Sequence, residues 1–136
     1  GICLANAGLG TIHGFASSIG GMFDIPHGLV CGILMAPANE ITVRELRKSN
    51  LKSEALKKYV QLGKIFADKE NKSDGFYIDG FIEHLFELSA FFRFPKLREF
   101  GINEKDVLSI CRITDNKNNP VKLSLENLTE IVRKVL

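Results

Sequence analysis

The stretch Gly8-Leu9-Gly10-Thr11-Ile12-His13-Gly14-Phe15-Ala16-Ser17-Ser18-Ile19-Gly20-Gly21, followed shortly by Pro26-His27-Gly28-Leu29-Val30-Cys31, decides how this chain folds. Ile12, Phe15, Ala16 and Ile19 recur at three- and four-residue spacing, the period of a helix that buries one face, and Gly20-Gly21 is its expected stop. The small residues Ala5, Ala7, Gly8, Gly10, Gly14, Ala16 and Ser17 accompany this helix. Each Gly weakens an isolated helix by roughly 1 kcal/mol relative to Ala, so packing must hold it together. Small residues also let another backbone come close. Pro26 has the φ of a first helical position, and Leu29, Val30, Ile33, Leu34 and Ile41 continue the helical period. A second helix is therefore expected to start at Pro26 and to be kinked or broken at Pro37.

From Arg44 onward the pattern is a run of amphipathic helices, and no strand pattern competes. Ser53 is placed to cap a helix carrying Leu56, Tyr59, Val60, Gly63 and Ala67 on one side. Asp74 is placed to cap another carrying Tyr77, Phe81, Leu85, Leu88 and Phe92, and Phe94-Pro95 ends it. Asn103 and Asp106 form a capping-box pair ahead of Val107, Ile110 and Cys111. After the loop of residues 115–120, Ser124 can cap a last helix with Leu125, Leu128, Ile131, Val132 and Val135 on one stripe. The expected fold is all-α, a helical bundle without internal repeats, and the phenylalanines of residues 76–94 are assigned to its core.

The 136 residues, 45% apolar and 25% charged, suit one globular domain. Eighteen Lys and Arg against sixteen Asp and Glu leave +2, too small a field to make nucleic acid the default partner. The basic stretch Arg44, Arg47, Lys48, Lys52, Lys57 and Lys58 is interleaved with Glu45 and Glu54 and is read as a solvated helical face. Cys3, Cys31 and Cys111 are scattered, so neither a disulfide framework nor a thiolate zinc motif is indicated, and a reducing, cytoplasmic setting fits best. Cys31, in an apolar helix, is expected to be an inert small hydrophobe. The clean apolar run of residues 29–36 is far short of the roughly 20 residues of a membrane span, so no membrane partner is expected. A chain opening Gly1-Ile2-Cys3, inside a glycine-rich motif, is expected to be part of a longer polypeptide.

Chemistry centres on His13 and His27, in the segment ahead of Arg44 that carries no Lys or Arg. They lie on different helices, and an antiparallel pair joined through Gly20-Gly21 would bring both imidazoles to one point. An imidazole at a helix amino terminus faces partial positive charge, which favours its neutral, metal-ligating form. The residues alone leave two readings open: hydrogen-bonded structural histidines in a helical binding module, or ligands of a shared cation. Two imidazoles fall short of the three ligands a catalytic zinc takes; Asp24 is available as a third, and equally as a helix-entry cap. His84, among Phe81, Leu85, Phe86 and Leu88, is assigned a structural role.

The spaced run Gly8-Leu9-Gly10-Thr11-Ile12-His13-Gly14, then Gly20-Gly21, then Pro26-His27-Gly28, resembles the signature of the iron-containing (group III) alcohol dehydrogenases. Leu97-Arg98-Glu99-Phe100-Gly101-Ile102 and Leu128-Thr129-Glu130-Ile131 are similar to that family's carboxy-terminal half. The resemblance implies the helical domain of the dehydroquinate synthase-like fold, residues 1–136, facing an amino-terminal dinucleotide-binding domain across a cleft. It implies a divalent metal, Fe²⁺ or Zn²⁺, held by an Asp and three His, with His13 and His27 as the last two ligands and the first two upstream of Gly1. On that match Asp24 is not a ligand.

The same resemblance implies hydride transfer between an alcohol or aldehyde and NAD(P), with the metal as Lewis acid. No cofactor-binding residue is expected here, because Gly8-x-Gly10-x-x-x-Gly14 is not a dinucleotide fingerprint. Ser17 stands where many members carry a proton-relaying His, and it is the one catalytic-cleft candidate. A hydroxyl passes a proton along a chain but has no pKa near 7 to act as a base. With half a ligand cage, the chain alone is expected to be inactive and to bind metal weakly, and its apolar face to favour self-association as a homo-oligomer.

Overall fold

The computed structural model describes residues 9–49, 53–67 and 71–136, and among them every regular element is helical. In order these are α1 (Thr11–Met22), α2 (His27–Ser49), α3 (Glu54–Phe66), α4 (Asp74–Phe91), a 3-10 turn (Leu97–Phe100), α5 (Glu104–Ile113) and α6 (Leu125–Lys134). The all-α expectation holds. Ala5, Ala7, Gly8, Cys3 and Lys52 lie outside the described residues.

The long helix α2 is the spine of two cores. Its amino-terminal part, as far as Ile41, gives Val30, Ile33, Leu34 and Ile41 to a core shared with Phe15 and Ile19 of α1, Ile110 of α5 and Ile131 of α6. Its second half gives Val43 and Leu46 to a smaller core with Leu56 and Val60 of α3 and Tyr77 and Ile78 of α4. Polar clamps hold the same helix from outside: both terminal nitrogens of Arg44 donate to the Glu130 carboxylate of α6, at 2.8 and 2.7 Å. That hydrogen bond holds the Glu130 carboxyl below its usual range. Arg47 reaches Asp79 of α4 at 2.7 Å. The stretch expected to be a solvated face thus contributes two cross-helix ties.

Capping follows the sequence closely. The hydroxyls of Ser53 and Ser124 accept the N–H groups of Leu56 and Asn127, each at 3.2 Å, and the Asp106 carboxylate accepts that of Asn103 at 2.9 Å. At α4 the cap is Ser73, which accepts from Phe76, and Asp74 is the first helical residue.

Several expectations are corrected. α1 runs through Gly20-Gly21 to Met22, and the reversal falls at residues 23–26, where the Phe23 N–H still donates to Ile19 at 2.8 Å. α2 starts at His27, with the Pro26 carbonyl accepting from Leu29 and Val30. Pro37 does not break α2, which passes through it with Ala36, Pro37 and Ala38 all buried. Burial there outweighs the roughly 3 kcal/mol that proline costs a helix interior. Most of the phenylalanines assigned to the core are on the surface: Phe76, Phe86, Phe91 and Phe92 are exposed, Phe91 by 78%, and only Phe81 is buried. α4 ends at Phe91 and Arg93 turns left-handed at φ 51°, so Phe92 leaves the buried stripe. Leu125 of the last stripe is also exposed.

The glycines divide by what surrounds them. A Cβ on Gly14 would lie 1.9 Å from the Asp115 carbonyl oxygen, whereas one on Gly20 would meet nothing within 4 Å. Gly14 lets α1 press against the loop after α5. Gly14→Ala should therefore destabilise the fold by about 1–3 kcal/mol through overpacking. Gly20→Ala should stabilise it by up to about 1 kcal/mol through helix propensity. Urea unfolding of both variants checks the opposite signs; equal effects would show that the loop retreats freely.

Candidate metal centre

His13 stands in the first turn of α1 and His27 opens α2, so the turn of residues 23–26 decides whether they meet. Ile25, in that turn, is buried in the main core and draws the start of α2 inward. The two imidazole rings face each other with centroids 5.5 Å apart and planes tilted by 51°. Neither ring has a hydrogen-bond partner among the described residues. His27 is exposed and His13 partly so. Gly28, beside His27, leaves open space where a Cβ would be.

A third donor adjoins the pair. Cys31 lies one turn after His27 on α2, and one ring nitrogen from each histidine and the Cys31 sulfur all fall within 4.8 Å of one another. Cys31 is half-buried, and burial pushes its thiol pKa up. The expectation of an inert hydrophobe missed this juxtaposition. Asp24 is not in the cluster. Ser17 is exposed on α1, one turn beyond His13. Nitrogen and sulfur donors suit a divalent transition-metal ion such as zinc or iron and are poor ligands for magnesium or calcium.

Behind His13 lies a cavity of about 260 Å³, lined in part by Asn39, Thr42, Tyr59 and Asn119. The Tyr59 hydroxyl donates to Asn39 Oδ1 at 2.6 Å, and burial pushes its pKa up to about 12, so it stays a proton donor across the physiological range. Asn119 donates to Thr42 at 3.2 Å and to the Val121 carbonyl at 2.9 Å. No local spacing points to this group, because its members come from α2, α3 and the loop before α6. A larger cavity, about 750 Å³, lies between α2 and α4 among Arg44, Arg47, Asp79 and Phe86. Arg44 and Arg47 there are already paired with Glu130 of α6 and Asp79 of α4, so the histidine cluster is the better site. His84 stacks on Phe66 at 4.3 Å, in keeping with a structural role.

A sequence profile of the Fe-containing alcohol dehydrogenase family, C-terminal, matches residues 1–136, and the chain belongs to that family. Alcohol dehydrogenase 4 of Saccharomyces cerevisiae is 26% identical over 147 residues, covering 98% of this chain and 33% of the yeast protein. The NADPH-dependent butanol dehydrogenase of Clostridium saccharobutylicum is 29% identical over 140 residues, covering 96% and 34%. The chain therefore spans about a third of the length of these relatives. A crystal structure of 1,3-propanediol oxidoreductase shares the fold with a TM-score of 0.81 at 22% identity, over 100% of this chain and 35% of that one. Among the described residues no helix is long and apolar enough to cross a membrane.

His13 is only as well placed as α1. The buried hydroxyls of Ser18 on α1 and Thr114 after α5 lie 2.8 Å apart, with the carbonyls of Phe15 and Ile110 as further acceptors at 3.1 and 2.8 Å. Two hydroxyl protons serve three contacts, so either hydroxyl can bridge helix to helix while the other bonds the carbonyl of its own helix. Thr114→Val removes the bridge while Ser18 keeps its own carbonyl, and should lower stability by about 1 kcal/mol in urea unfolding. A loss above about 3 kcal/mol would mean that Ser18 is left without a partner.

Proposed function

We propose that residues 1–136 are the helical, metal-holding domain of an enzyme that transfers hydride between an alcohol or aldehyde and NAD(P), with His13 and His27 as two of the metal's ligands. The observation that carries this reading is the meeting of two unpartnered imidazoles, 5.5 Å between centroids, in a chain of this family. Histidines that served only to hold the fold would be expected to bond to it, and neither does so among the described residues. A divalent ion bound there, Fe²⁺ or Zn²⁺, supplies Lewis acidity toward a substrate oxygen.

The chain's own residues do the rest of the local work. Phe15, Ile19, Val30 and Leu34, all at 0% exposure, hold α1 and α2 rigid so that the two rings arrive pre-positioned. Ser17 lies toward the substrate cleft and can hand a proton along a hydrogen-bond chain without acting as the base. Gly14 serves the approach to Asp115, which leaves the glycine-rich stretch a packing role and the nucleotide phosphates to another domain. That domain, together with an Asp-x-x-x-His helix completing the ligand set, is expected from sequence encoded ahead of Gly1, in a reducing, cytoplasmic enzyme.

Co-expression of the chain with that upstream sequence tests the reading. Metal-dependent NAD(P)H oxidation with an aldehyde is expected, falling by roughly 10²-fold or more in His27→Ala and in His13→Ala. Asp24→Asn should change it little. Undiminished oxidation in both histidine variants would sink the assignment.

A further inference from the structure

His13 and His27 are two donors, yet the structure brings three together. His27 and Cys31 are four residues apart on α2, so their side chains leave one face a helical turn apart. His13 meets them from α1, and one ligating atom from each lies within 4.8 Å of the others. Cys31 is packed only partly against the main core. Cys111, by contrast, is 2% exposed inside it and behaves as a core residue.

Resting on the reading that His13 and His27 hold the metal, we infer that Cys31 is a further ligand, making a His₂Cys site within this chain that favours zinc or cobalt over iron or manganese. Three protein ligands match the number a catalytic zinc takes, so these donors can hold an ion in this chain alone, and Cys31 is an added donor where the Asp-x-x-x-His helix is present. Around a tetrahedral ion, bonds of about 2.0–2.3 Å put neighbouring ligand atoms roughly 3.4–3.6 Å apart. The three atoms must close in by about 1 Å, within reach of side-chain rotation on the exposed His27. Sulfur is the selective element, since thiolate prefers softer ions over those suited to carboxylate and water. On binding, the thiol proton passes to solvent and a metal–sulfur bond forms, with no change in oxidation state. The expectation of weak binding rested on two donors, and a third strengthens the site for the softer ions alone.

Anaerobic titration of the reduced 136-residue chain with Co²⁺ separates the possibilities. A near-ultraviolet thiolate-to-cobalt charge-transfer band should appear and saturate. Cys31→Ala and Cys31→Ser should lose it and weaken Zn²⁺ binding by about tenfold or more, with little effect on Mn²⁺. The double variant Cys3→Ala/Cys111→Ala should keep the band, and circular dichroism should show unchanged helix content throughout. Cobalt uptake that depends on His13 and His27 but lacks the band would overturn the role of Cys31 and leave the histidine reading standing. A band that survives in Cys31→Ala would also overturn it. Uptake that ignores both histidines would bring down the ligand set as a whole, whereas no uptake at all would overturn the three-donor site and leave the histidine reading to the test with the upstream sequence.

Discussion

The seam between α1 and α2 is the constraint on which the rest depends. Phe15 and Ile19 from one helix and Val30 and Leu34 from the other are wholly removed from solvent. Burying side chains of this size contributes about 1.5–3 kcal/mol each. With the turn of residues 23–26, that seam makes a site of His13 and His27, which are fourteen positions apart. Anything that loosens α1 from α2 disperses the donors before it unfolds the chain.

α2 serves the two cores with different halves, and this division explains where the chemistry is placed. Its amino-terminal end carries His27 and Cys31 against α1, where the fold is braced by α5 and α6. Its carboxy-terminal end anchors α3 and α4 through Val43, Leu46 and the Arg47–Asp79 pair. A helix of 23 residues passing through Pro37 is an expensive way to join two cores, and it survives because both flanks of the proline are buried. Rigidity at the centre leaves the histidine end open to solvent, so a ligand can enter without any core residue moving.

Much of this was legible in the sequence, and the failures share a cause. Ser53, Ser124 and the Asn103–Asp106 pair were placed correctly because capping is a local matter of residue type and spacing. The glycine stop at Gly20-Gly21 fell one residue short because glycine near a helix end is a bias, and the bond from the Phe23 N–H to Ile19 carries α1 on to Met22. The phenylalanines of α4 recur at helical spacing, yet periodicity reports that a stripe exists and not how much of it finds a partner. Here α3 and α2 cover Phe81 and leave Phe76 and Phe86 outside. Tyr59 and Asn39 were invisible as a pair because the hydrogen bond between them joins side chains 20 positions apart on two successive helices, whose packing no local spacing reports.

Cys31 shows the same limit most sharply. The spacing His27-x-x-x-Cys31 is readable as one helical face, but a cysteine among Val30, Ile33 and Leu34 looks like one more core residue until the direction of α1 is known. Helical period says which residues share a face; only packing says which face meets the neighbouring helix. Because α1 crosses at the turn carrying His27 and Cys31, a residue at the edge of the apolar stripe points toward an imidazole instead of into the core. The glycine-rich segment has a complementary logic. Gly14 brings α1 against Asp115 on one side, and that close approach fixes the height at which His13, the preceding residue, confronts α2. A packing requirement on one face of α1 thus becomes a positional requirement on the donor beside it, which is why stability and site geometry are inseparable in this part of the chain.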